Sequence, residues 1–136
     1  MNDFLKDIIK QGGAIAKDYF LKGVTFKTKS HLGDLVTVAD QEVSDFLIKK
    51  IQEKYPDHGI YSEEQKDILN PGSDYLWMID PIDGTRNFAN AIPMWCSMVA
   101  LFYRKELIMS AVYNPLSDEL FFAEKGKGAS INGMPI

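Results

Sequence analysis

A chain of 136 residues that is 46% hydrophobic is long enough for one domain with a real core and too short to expect two. Its net charge of −4 and pI of about 5.1 supply no basic field for a nucleic-acid backbone, which disfavours direct nucleic-acid binding as a main role. A single cysteine, Cys96, excludes an internal disulfide, and with no signal peptide and no apolar run of membrane-spanning length the expectation is a cytoplasmic protein off the membrane.

From Asn2 to about Leu21 the apolar residues Phe4, Leu5, Ile8, Ile9, Ile15, Ala16, Tyr19 and Phe20 recur at spacings of three and four, which predicts an amphipathic helix. Gly12-Gly13 in its middle weakens the helix relative to Ala and marks a close helix contact or a bend. Lys22 to Leu32 is polar and basic without a period, and reads as an extended segment or loop. Asp34 to Asp40 leads into a second helix with Val43, Phe46, Leu47, Ile51 and Tyr55 as its buried stripe and Pro56-Asp57-His58-Gly59 as its stop. Asp40 falls in the first turn, where a carboxylate suits the positive end of the helix dipole. Gly59 to Ser62 reads as a short strand, followed at once by Glu63-Glu64, a pair that on local grounds is solvated surface. His31 and His58 are isolated loop histidines with no second zinc ligand nearby, so surface positions are expected.

Tyr75 to Ile79 is a continuous apolar run after Pro71-Gly72-Ser73-Asp74, the pattern of a buried strand bounded by turn residues. Asp80 and Asp83 leave its end, and Pro81 stiffens the exit so that the two carboxylates can converge from a tight turn. Hard cations such as Mg²⁺ take carboxylate and carbonyl oxygens and share them with a substrate phosphate. Gly84 allows close backbone approach, and Thr85 is placed to cap a helix whose first N–H groups face an anion. Asp-x-x-Asp-Gly by itself is an ordinary turn. After Pro93 come four strand-like runs, Cys96 to Tyr103, Leu107 to Tyr113, Glu119 to Glu124 and Ala129 to Ile131, joined by short turns as an antiparallel meander. Cys96 within the first run reads as a small buried hydrophobe. Lys125-Gly126-Lys127-Gly128 lacks phosphate-loop spacing and reads as a turn. The expected fold class is α+β, two helices layered on a largely antiparallel sheet.

The full string Trp77-x-x-Asp80-Pro81-Ile82-Asp83-Gly84-Thr85-x-Asn87-Phe88-x-x-x-x-Pro93 resembles the first signature of the inositol monophosphatase family, within the lithium-sensitive, Mg²⁺-dependent phosphatase superfamily. The similarity covers essentially all of residues 1–136, taken as one α+β metal-binding domain corresponding to the N-terminal half of that family's layered sandwich. It implies Mg²⁺-dependent hydrolysis of a phosphate monoester by metal-activated water, with inositol monophosphate or a related small sugar phosphate as substrate. Carried onto this chain, it implies that Glu63, Asp80 and the Ile82 carbonyl hold one Mg²⁺. Asp80, Asp83 and an aspartate with no match here would hold a second. Glu63 and Thr85 would orient the attacking water, Asp40 would hydrogen-bond Thr85, and Asp83, Gly84 and Thr85 would face the substrate phosphate. Lys29 sits at the offset of a family loop lysine. Ser62 stands where the family usually has Gly, and Ala39 where Thr is common; neither removes a ligand.

Family members are roughly twice as long and form homodimers. Their second signature, Trp-Asp-x-x-Ala, has no match here, so the chain reads as a fragment, one product of a split gene, or a natural half without catalysis. On its own it is expected to be incomplete and inactive. Two alternatives accompany the main reading. One is a 3'(2'),5'-bisphosphate nucleotidase-like enzyme, against which Asn87-Phe88 argues. The other is an extragenic-suppressor-type regulatory protein that contacts the transcription and RNA-processing machinery.

Overall fold

The computed structural model describes residues 1–22, 26–28 and 35–136, with the backbone alone for 26–28 and 35–37. Lys29 and His31 therefore lie outside the described residues. Helix α1 (Asn2–Lys22) buries Leu5, Ile8, Ile9, Gly12, Gly13 and Ala16, one stripe of the predicted period. Helix α2 (Val38–Lys54) buries Ala39, Asp40, Val43, Ser44, Leu47, Ile48 and Ile51. Between them, β1 (Phe26–Thr28) pairs antiparallel with β2 (Leu35–Thr37).

The two adjacent glycines are contact points, and α1 runs unbroken through them. A Cβ on Gly12 would lie 3.3 Å from the Leu47 side chain of α2, and one on Gly13 would lie 2.6 Å from the Tyr113 ring. One glycine lets the helices approach each other, and the other lets α1 approach the sheet.

The sheet has seven strands in chain order: β3 (Gly59–Ser62), β4 (Tyr75–Asp83), β5 (Cys96–Tyr103), β6 (Glu106–Asn114), β7 (Glu119–Glu124), β8 (Gly128–Ile131) and β9 (Met134–Pro135). β3 and β4 are parallel, and every later pair is antiparallel. Asn132 and Gly133, both at positive φ, make the tight turn that adds β9 to the predicted meander. Alternation along the strands sends Trp77, Ile79, Val99, Leu101, Ala111 and Phe122 into one core with the stripes of α1 and α2. The architecture is α+β, with two helices layered on a largely antiparallel sheet. Among the described residues, no helix is long and apolar enough to cross a membrane.

Two local expectations change. β4 continues past Ile79 to Asp83, because the register slips by one residue: Asp80 pairs with Met98, and Asp83 with Cys96. Three steps on β4 match two on β5, which is a β-bulge. Nor is His58 a plain surface residue. Its half-buried ring stacks between Tyr55 (4.7 Å, 10°) and Tyr75 (4.4 Å, 12°), and its Nδ1 accepts the Trp77 indole N–H at 3.0 Å. Tyr55 follows α2 three residues earlier, but Tyr75 and Trp77 come from β4, and nothing beside His58 in sequence announces those two.

Candidate functional site

The bulge decides where the two aspartates point. In an unbroken strand, residues three apart face opposite sides. The extra residue restores them to one side: Pro81 and Ile82 are both buried, Asp80 is half-buried and Asp83 is exposed. Pro81 has no N–H to lose from the ladder, which suits it to a bulge. Its carbonyl accepts the buried Ser97 hydroxyl at 2.7 Å, pinning β4 to β5 there. Sequence reading assigned the convergence of Asp80 and Asp83 to a turn and missed Ser97. A proline inside a strand-like run was the available signal.

Parallel pairing brings in the third carboxylate. Ser62 is in register with Ile79, and the Glu63 N–H donates to the Ile79 carbonyl at 3.1 Å. Glu63 therefore leaves β3 beside the point where Asp80 leaves the regular part of β4. Asp40, 2% exposed, comes from the first turn of α2. The site is read in the proton affinity of Asp80, which is pushed up to about 7 by burial and then by the charges of Glu63, Asp83, Asp40 and Glu64. Its Oδ1 is buried and has no hydrogen-bond partner.

Among the described residues, no three Asp, Glu, His or Cys side chains close around a common point as a ready cage. Like-charged carboxylates with no cation between them repel one another, and Asp80 bears that repulsion. The donor set nevertheless fits a hard divalent cation: it offers oxygens, and one carboxylate oxygen is buried without a partner.

Helix α3 (Thr85–Ala89) follows. Its N-cap is Gly84, in the left-handed region at φ 91°, with no side-chain cap. Thr85 is thus the first helical residue and not the cap. Its hydroxyl donates to the Ile82 carbonyl at 3.0 Å, so the proton expected between Thr85 and Asp40 goes to Ile82. The Ile82 carbonyl keeps a second lone pair. A Cβ on Gly84 would stand 2.9 Å from the Met94 carbonyl, so the turn leaves room for glycine alone.

Cys96 departs from the expected buried hydrophobe. It is half-buried, and its thiol faces an Asp83 carboxylate oxygen at 3.8 Å, because the bulge sets the two residues opposite each other. Burial and the charges of Asp83 and Asp80 raise its pKa to about 11, which keeps the sulfur as the thiol at neutral pH.

Comparison with known proteins places these features in a family. The sequence profile of the Inositol monophosphatase family matches residues 1–136. An inositol monophosphatase of Dictyostelium discoideum is 42% identical over 133 residues, covering 96% of this chain and 48% of that protein. Nus factor SuhB of Haemophilus influenzae is 36% identical over 132 residues, covering 97% and 49%. Among solved structures, the Thermotoga maritima IMPase superposes with a TM-score of 0.91 at 30% identity, covering 100% of this chain and 53% of that one. An IMPase/NADP phosphatase complexed with Mg²⁺ and phosphate gives 0.87 at 28% identity, covering 98% and 51%. The chain spans about half the length of the relatives it matches. With a family match along its whole length, and with the Asp80 to Thr85 corner carried on the bulge of β4, this chain belongs to the inositol monophosphatase family.

Proposed function

We propose that this chain supplies the metal and phosphate corner of a Mg²⁺-dependent phosphate monoesterase, with inositol monophosphate or a related small sugar phosphate as substrate. The observation that carries the reading is Asp80: a carboxylate with a buried, unpartnered oxygen, set among four other carboxylates, is a place that a divalent cation would neutralise. The structural relative solved with Mg²⁺ and phosphate supports the same ion.

Glu63, Asp80, the Ile82 carbonyl and Asp83 are the proposed ligands. Mg²⁺, when bound, supplies Lewis acidity toward the phosphoryl oxygens and acidifies water. Glu63, exposed at the end of β3, accepts a proton from the attacking water. The Thr85 hydroxyl has its own proton on Ile82, which leaves its oxygen lone pairs to accept the water's other proton and orient it. Asp40 adds negative charge behind Asp80 and strengthens the demand for a cation. Backbone N–H groups of Gly84 and Thr85 are proposed to bind phosphate oxygens as charge moves toward the leaving group. We further propose a cytoplasmic homodimer.

The test is Mg²⁺-dependent phosphate release by the protein as expressed from its own gene, with inositol monophosphate, a sugar phosphate and a nucleoside bisphosphate in parallel. Asp83→Asn should lower the rate by more than about tenfold, or about 1.4 kcal/mol of barrier; a smaller loss removes Asp83 from the ligand set. Preference for the bisphosphate would move the protein to the nucleotidase reading. A second reading draws on the 36% identity to a Nus factor: contact with the transcription machinery. A pull-down against transcription and RNA-processing factors by a phosphatase-silent protein would favour it.

A further inference from the structure

Ser44 and Ser62 are both fully buried, and their hydroxyl oxygens stand 2.7 Å apart. Ser44 lies on α2 about one helical turn after Asp40, within the same buried set. Ser62 ends β3, and Glu63 is the next residue. The hydroxyl pair therefore joins the helix that delivers Asp40 to the strand that delivers Glu63.

Backbone pairing fastens that strand end to β4 with one last bond, the Glu63 N–H on the Ile79 carbonyl at 3.1 Å. β3 lies at the edge of the sheet and has only four residues. β4 pairs with one side of it, and on the other side Leu69 bridges Ile60, two residues short of Ser62. Past Ser62 the chain turns, with the Gln65 N–H on the Ser62 carbonyl at 3.0 Å. The side-chain tie to Ser44 adds a fixed direction just where the backbone begins to leave the sheet.

The energetics point the same way. Replacing both partners of a buried hydrogen bond by apolar groups of similar shape can be nearly neutral for stability, because no polar group is left unpaired. Apolar contact has no preferred direction, whereas a hydrogen bond does. A buried hydroxyl pair at this place adds orientation more than it adds stability.

We propose that Ser44 and Ser62 are positioning residues: their hydroxyl pair holds the end of β3 so that the Glu63 carboxylate faces Asp80, and so sets the affinity for a divalent cation. The affinity part rests on the metal reading of Glu63, Asp80 and Asp83. Groups that orient metal ligands commonly change affinity by about tenfold or more when removed.

The experiment compares the 136-residue chain with its S44A/S62A variant by thermal midpoint, Mn²⁺ affinity from electron paramagnetic resonance, and amide exchange at Glu63 from NMR. The expected result is a midpoint within about 3 °C of the parent, Mn²⁺ bound about tenfold more weakly, and faster exchange at Glu63 with Trp77 unchanged. Unchanged Mn²⁺ affinity and unchanged Glu63 exchange would overturn the proposal directly. A midpoint lower by more than about 10 °C would make the pair structural and overturn it too. A parent that binds no Mn²⁺ would overturn it through its premise, and the metal-independent exchange at Glu63 would show whether the tie itself had failed.

Discussion

Trp77 donates its indole N–H to His58 Nδ1 at 3.0 Å, which joins the residue just before β3 to the middle of β4. Trp77 is fully buried, and a buried indole N–H needs an acceptor. With Nδ1 accepting, the ring proton of His58 sits on Nε2. Protonating Nδ1 would set two donors against each other.

The first prediction follows from that bond. Burial lowers the His58 pKa below its ordinary value, and the neighbouring Asp57 opposes the shift only in part. A base with a depressed folded pKa is protonated more readily in the unfolded chain. The contribution of His58 is therefore full above about pH 6.5 and falls as the pH drops through 6.5 toward the lower folded value. Urea midpoints at pH 7.5 and 5.5, taken in an Asp80→Asn background that removes the opposite titration of that carboxylate, should show this loss. His58→Ala should lower stability by about 1–3 kcal/mol at pH 7.5 by orphaning the Trp77 donor, and should flatten this part of the pH dependence. A variant as pH-sensitive as the parent would move the titration to another group.

Asp80 carries a shift of the opposite consequence. Its folded pKa is raised from 3.8 to about 7, so the folded chain holds the proton more tightly, and stability from this group is lost as pH rises from about 4 to about 7. With chelator at pH 8, Asp80→Asn should be more stable than the parent, and the gap should close at pH 4. Magnesium at ten times its dissociation constant should stabilise the parent by about 1.4 kcal/mol and leave Asp80→Asn unmoved. Chemical denaturation with and without Mg²⁺ checks both statements, and a destabilised Asp80→Asn under chelator would contradict the strain assigned to this carboxylate.

Gly12 and Gly13 should respond differently to the same change. Gly13→Ala drives a methyl to within 2.6 Å of the Tyr113 ring and should lose about 1–3 kcal/mol through overpacking. Gly12→Ala meets Leu47 and Val43 side chains at 3.3–3.4 Å, and the gain in helix propensity of about 1 kcal/mol offsets that crowding. Denaturant midpoints should rank Gly13→Ala clearly below Gly12→Ala; equal losses would mean that α1 bends away.

Ser97→Ala tests the bulge. It leaves the buried Pro81 carbonyl without the hydroxyl that it accepts at 2.7 Å, a loss of about 1–3 kcal/mol. Mn²⁺ affinity should fall as well, because the same bulge turns Asp80 and Asp83 to one side. Lost stability with unaltered Mn²⁺ affinity would separate the bulge from the metal site.

What was legible in the sequence was local. Periods of two and of three to four placed both long helices and the meander, since side-chain direction within one element follows from backbone geometry alone. The spacing from Trp77 to Pro93 carried the family. Tertiary structure decided the relations between residues far apart in the chain. Ser97 with Pro81 spans 16 positions, Ser44 with Ser62 spans 18, and Trp77 with His58 spans 19. The bulge is a count across two paired strands, so β4 alone cannot reveal that Asp80 and Asp83 share a side. The same holds for Thr85, whose hydroxyl turns back to Ile82 because Gly84 adopts a positive φ ahead of α3. Residue types named the chemistry, and the register between β3, β4 and β5 brought it to one place.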